Sequence, residues 1–110
     1  MNARYNTRKG RKLANLLREK ILKTFRHLRK YDVQVPGIGI NGPDVQLSKT
    51  AKRLCPFQFE AKAQERMKTL YKWKKQSEKN TNLDGVLVVR MNGKNPLVVI
   101  DMDLFFDLIK

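Results

Sequence analysis

Cysteine is almost missing from this 110-residue chain: Cys55 stands alone, which excludes an internal disulfide and a cysteine-rich zinc centre. Histidine is as scarce. His27 has neither a second histidine nor a cysteine as co-ligand, so a surface or capping position suits it better than a metal. No apolar run approaches the ~20 residues that a membrane-spanning helix requires. Residues 1–12 are polar and basic with no apolar run behind them, which leaves no place for a secretory signal. These absences point to a reducing, intracellular compartment and away from secretion. Acidic side chains are the remaining shortage: 10 Asp and Glu stand against 24 Lys and Arg, a net charge of +14.

The excess of bases is uneven. Residues 1–30 hold eleven bases and one acid, Glu19, whereas residues 80–110 hold three bases and four acids. Such a lopsided field favours a polyanion, and nucleic acid is the commonest one. An anionic membrane surface fits less well, because no segment joins a strong apolar face to an interfacial Trp. Apolar residues make up 41%, enough for the core of one domain and not comfortably for two.

Taken in order, residues 1–12 read as a flexible basic arm in which Arg4, Arg8, Lys9, Arg11 and Lys12 can grip phosphates. One domain follows over 13–110. Leu13, Leu17, Ile21, Phe25 and Leu28 recur at three- and four-residue steps, which predicts a helix over 13–30. Residues 31–35 suit a short strand, and the two prolines and three glycines of 36–43 require a loop. The alternation of 44–48 predicts a strand, 49–53 a basic connection, and 55–62 a returning strand with Phe57, Phe59 and Ala61 inward. A second helix is expected over 63–79, with Ala63, Met67, Leu70 and Tyr71 on one face and Trp73 at its edge. Trp73 suits core packing, with base stacking the alternative. The run Val86-Leu87-Val88-Val89 reads as an interior strand, and Asn92-Gly93 as a hairpin turn leading to a strand over 97–100. Asp101 is a good N-cap for an apolar closing helix over 102–109. The predicted fold is α/β, a mixed sheet flanked by helices in the order α-β-β-β-α-β-β-α.

One constellation carries chemistry. Asp44 opens one predicted strand, and sixteen residues later Glu60-Ala61-Lys62 closes its neighbour. Alternation puts Glu60 and Lys62 on one face. Two carboxylates and the Ala61 carbonyl offer hard oxygen ligands of the kind Mg²⁺ takes, with Mn²⁺ as substitute. A metal there acidifies water and polarises a phosphoryl oxygen, while Lys62 orients the attacking water. The alternative is an exposed Glu-x-Lys pair and an Asp that merely caps a turn. Lys49, Lys52, Arg53, Lys72 and Lys75 complete the expected nucleic-acid contacts.

Gly42-Pro43-Asp44 and Glu60-Ala61-Lys62, followed by Gln64, resemble the core of the PD-(D/E)xK nuclease superfamily, and within it the small archaeal and phage Holliday junction resolvases. The resemblance covers roughly residues 10–105 and implies a restriction-endonuclease-like sheet. By it, Asp44 and Glu60 are metal ligands, Lys62 is the catalytic lysine and Gln64 assists positioning. The family also carries an acid on its first helix, for which Glu19 is the candidate; Glu19 lies nearly opposite the apolar stripe, where an ion pair with Lys23 is the alternative. The implied partner is branched or double-stranded DNA. The implied assembly is a two-fold homodimer, with the last helix and the 86–100 hairpin as candidate surfaces.

Overall fold

The computed structural model describes residues 3–37 and 42–110, with side chains in the first helix described from Arg8 onward. That helix, α1 (Ala3–Thr24), starts well before Leu13, so the expected arm is helical from Ala3. Arg and Lys are good helix formers and no proline interrupts this stretch, so nothing local halts the helix. Its buried face runs through Ala14, Leu17 and Ile21, and half-buried Gly10 continues the same stripe one turn earlier. Leu13 and Phe25, expected on that stripe, are only half-buried.

Arg18 stitches α1 to the chain that follows. Its Nε donates to the Val33 carbonyl at 2.6 Å and its Nη2 to the Lys30 carbonyl at 2.9 Å. A 3-10 turn, Lys30–Asp32, leads into strand β1 (Val33–Gln34), which pairs antiparallel with β2 (Gln46–Leu47) in the register Val33↔Leu47 and Gln34↔Gln46. Asp32 is buried, and its carboxylate accepts from the Arg29 amide at 2.7 Å and from Ser48 Oγ at 2.6 Å. These two donors, the Ser48 hydroxyl foremost, hold the Asp32 carboxyl below the usual carboxylate range, against a smaller opposing push from burial.

Residues 49–54, expected as a connection, form helix α2 (Lys49–Leu54). Ser48 is its N-cap: the hydroxyl accepts from the Ala51 amide at 3.1 Å, satisfying one of the orphan donors of the first turn. Residues 55–62 are not a strand. They run without regular structure past Pro56, which supplies no amide to a ladder. Inward alternation holds only in part: Cys55 and Ala61 are buried, Phe59 is half-buried, and Phe57 is exposed. Burial pushes the Cys55 thiol up, so it sits as an inert apolar group.

The chain divides into two compact units, one of Met1–Gln64 with Ile109–Lys110, the other of Glu65–Leu108. In the second, helix α3 (Lys68–Gln76) is shorter than the expected 63–79 and leaves Tyr71 exposed. Strands β3 (Leu87–Val89) and β4 (Leu97–Val99) pair antiparallel, Val88 opposite Val98, around a turn in which the Lys94 amide donates to the Met91 carbonyl at 3.0 Å. Gly93 takes φ +77°, the left-handed conformation that the Asn-Gly pair supplies at little steric cost. Val86 and Val88, expected inside a sheet, are exposed, because the ladder ends at these two strands. Helix α4 (Met102–Ile109) follows with the bounds the sequence suggested. Lys74 of α3 is buried and pairs with Glu78 and, at 3.5 Å, with Asp101, whose carboxylate therefore serves an ion pair. The Glu78 contact chiefly, and then the nearby Asp101 charge, hold the Lys74 ammonium above its ordinary range.

The architecture is thus mixed α/β, with four α-helices and two separate two-stranded antiparallel sheets among the described residues.

Candidate functional site

Asp44 sits on the approach to β2, two residues after Gly42, whose φ of +124° only glycine adopts readily. That turn brings the half-buried Asp44 carboxylate to residues 60–62: its Oδ2 accepts a hydrogen bond from the Ala61 amide at 2.6 Å. A charged acceptor makes this a strong anchor between positions seventeen apart. Ala61 is buried, while Glu60 and Lys62 lie on its two sides in solvent and pair with each other, Nζ to Oε1, at 3.3 Å. The two charges thus reach each other from either side of Ala61, although among the described residues no partner strand makes this segment part of a ladder. With side chains 62% and 70% exposed, the pair is worth at most about 1 kcal/mol and is free to re-form around a ligand.

Helix α1 reaches the same region. A Cβ on Gly10 would stand 3.8 Å from the Ala61 carbonyl oxygen, so this face of α1 runs beside the Glu60-Ala61-Lys62 segment. Four predicted site residues are thereby brought into one neighbourhood: Asp44, Glu60, Ala61 and Lys62. Two are not brought to it by any described contact. Gln64 is exposed, two residues past Lys62. Glu19 is exposed on α1, on the side away from Gly10, Ala14 and Leu17, and about 13 Å along the helix axis from Gly10. No three His, Cys, Asp or Glu side chains converge as a metal-holding group among the described residues.

The basic residues divide by task. Arg8, Lys12, Lys49, Lys52, Arg53, Lys72 and Lys75 are exposed, and Lys9 is half-buried. Arg11 is turned to structural work: its Nη1 donates to the Pro36 carbonyl at 2.5 Å, as Arg18 does to its own pair of carbonyls. The Arg4 side chain lies outside the described residues. Sequence reasoning passed over Gly10, whose signal was its spacing: with Ala14, Leu17 and Ile21 it continues one helical stripe to small residues, where a neighbouring chain can approach closely.

No helix among the described residues is long and apolar enough to cross a membrane. No family model, no curated protein and no solved structure matches this chain.

Proposed function

We propose that this protein is a metal-dependent, structure-selective endodeoxyribonuclease with a restriction-endonuclease-like core, acting by its resemblance on four-way DNA junctions. The observation that carries the reading is the 2.6 Å hydrogen bond from the Ala61 amide to Asp44, which gathers an acid from one segment beside the Glu-x-Lys of another. The donor set suits a hard cation. Asp44 spends Oδ2 on the amide and keeps Oδ1 for an ion, the exposed Glu60 carboxylate is adjacent, and Gly10 leaves the Ala61 carbonyl uncrowded by a side chain. Asp44, Glu60 and the Ala61 carbonyl would hold Mg²⁺, or Mn²⁺ in its place. When bound, the ion supplies an acidified water and a polarised phosphoryl oxygen.

The chain's own groups do the rest. Lys62 donates to the attacking water and offsets the negative charge that develops on the phosphorus oxygens. Before substrate arrives, its ammonium pairs loosely with Glu60. Exposed Lys12, Lys49, Lys52 and Arg53 attract the DNA backbone. The homodimer that the resemblance implies has an apolar surface in α4, where Leu108 is 70% exposed.

The test sets a four-way junction, a flap and a plain duplex of shared sequence against the protein with Mg²⁺. Junction cleavage is expected, and Asp44→Ala or Lys62→Ala should each lower it by about 100-fold or more while leaving junction binding nearly intact. Either variant cutting at the parental rate removes the assignment. A second reading, a non-enzymatic basic nucleic-acid-binding module of architectural or ribosome-associated kind, draws on the solvent-exposed Glu60–Lys62 pair, which satisfies itself without an ion. Thermal melts with Mn²⁺ or Ca²⁺ separate the two, since only a real site raises the melting temperature.

A further inference from the structure

The second unit carries a feature that cleavage does not use. A groove of about 840 Å³ lies between α3 and the β3–β4 hairpin, lined by Trp73, Leu87, Val89 and Leu97 and closed at the turn end by Arg90 and Lys94. Trp73 is 46% exposed, so much of the indole is left over after packing. Arg90 Nε donates to the Lys94 carbonyl at 3.1 Å, which fixes the guanidinium against the turn beside the lysine. Among the described residues no Asp or Glu lines the groove, and the acids closest in sequence to Trp73 and β4, Glu78 and Asp101, are both engaged by buried Lys74.

An aromatic and aliphatic wall with two cations at one end fits a ligand that is flat and apolar over one part and anionic over another. We infer that this groove is a stacking site for an unpaired base of single-stranded nucleic acid, with Trp73 as the platform and Arg90 and Lys94 on the adjoining phosphate. Its volume falls in the ~300–1,000 Å³ range of sites that enclose small organic groups. Aromatic platforms beside a cationic track are how single strands are held without sequence preference. Exposed Lys72 and Lys75, one and two residues from Trp73, extend the positive field along α3. A second copy of this chain is a poor occupant, because among the described lining residues the groove offers a partner's groove two cations and no acid to pair with them. The site stands independently of the cleavage chemistry at Asp44 and Glu60.

Trp73 is the only tryptophan, so its fluorescence reports on the groove directly. The experiment titrates the full chain, in EDTA so that no strand is cut, with an oligothymidylate and with an abasic deoxyribose-phosphate oligomer of equal length. The oligothymidylate should quench Trp73 and bind at least about fivefold more tightly than the abasic oligomer, as expected when one base gains a stacking partner. Trp73→Ala should lower oligothymidylate affinity by about 5- to 100-fold, Trp73→Phe should keep most of it, and Lys94→Ala should weaken both oligomers and flatten the salt dependence by about one phosphate contact. Circular dichroism checks that each variant folds; should Trp73→Ala fail to, the quench and the comparison of the two oligomers on the parent decide the matter. Equal affinity for the two oligomers without quenching overturns the inference in favour of phosphate attraction alone. Self-association without any oligomer, strengthened in Lys94→Ala and lost in a folded Trp73→Ala, overturns it in favour of a second copy.

Discussion

Asp32 shows at the residue scale how much one carboxylate can hold. It joins the Arg29 turn to Ser48, and through Ser48 to the start of α2, with its own carbonyl taking the Ser48 amide at 2.8 Å. Because its folded pKa is depressed, the stability it adds is fully present above the ordinary carboxylate value and is lost as pH falls through the lowered one. Melting the parent and Asp32→Asn from about pH 7 to about pH 2 should therefore show the parent's advantage shrinking only on the acid side. An advantage that persists undiminished at the acid end would refute this. Lys74 runs the other way: its raised pKa makes its contribution complete below the ordinary ammonium range and lost as pH rises through the raised value. At this same scale Asp44 stands out as a candidate from its residue type and neighbours. Its actual partner, the Ala61 amide, was not, because an amide carries no mark in a sequence.

At the scale of elements, two substitutions test why segments end where they do. Ser48→Ala removes the cap of α2 and one donor to buried Asp32 together, and should cost about 1–2 kcal/mol in denaturant unfolding. Gly85 is buried, and a Cβ there would run into the Ser77 and Glu78 side chains that follow α3. Gly85→Ala should therefore destabilise by about 1–3 kcal/mol, whereas Gly93→Ala, with open space around it, should cost only its backbone strain of about 1 kcal/mol. Elements with strong local signals were legible: α4 between Asp101 and the chain end, and the Asn92-Gly93 turn with its flanking strands. Those whose outcome depends on a partner were not. The stretch 55–62 looked like a strand and is not one: it starts in a tight turn, the Phe57 amide donating to the Cys55 carbonyl at 2.8 Å, and no strand among the described residues pairs with it. Helix α2 was hidden in a run of bases, and its cap, Ser48, was read as the end of a strand.

The whole molecule is governed by charge. With a net +14, binding to any nucleic acid should weaken with salt, by about 3.5-fold per phosphate contact for each fourfold rise in concentration. Filter binding at two salt concentrations measures this, and an affinity indifferent to salt would exclude a polyanion partner altogether.

The order of residues alone determined the field, the apolar stripe of α1 from Leu17 to Ile21, and the turn chemistry of the second hairpin, because each rests on residue type or on spacing within a few positions. Folding decided which distant groups meet: Asp44 with Ala61 across seventeen positions, Ser48 with Asp32 across sixteen, and α1 with the Ala61 carbonyl at Gly10. It also decided that Val88 of β3 faces solvent. Contacts of that range depend on loop geometry and on competition among all possible partners, and neither leaves a local trace in the chain.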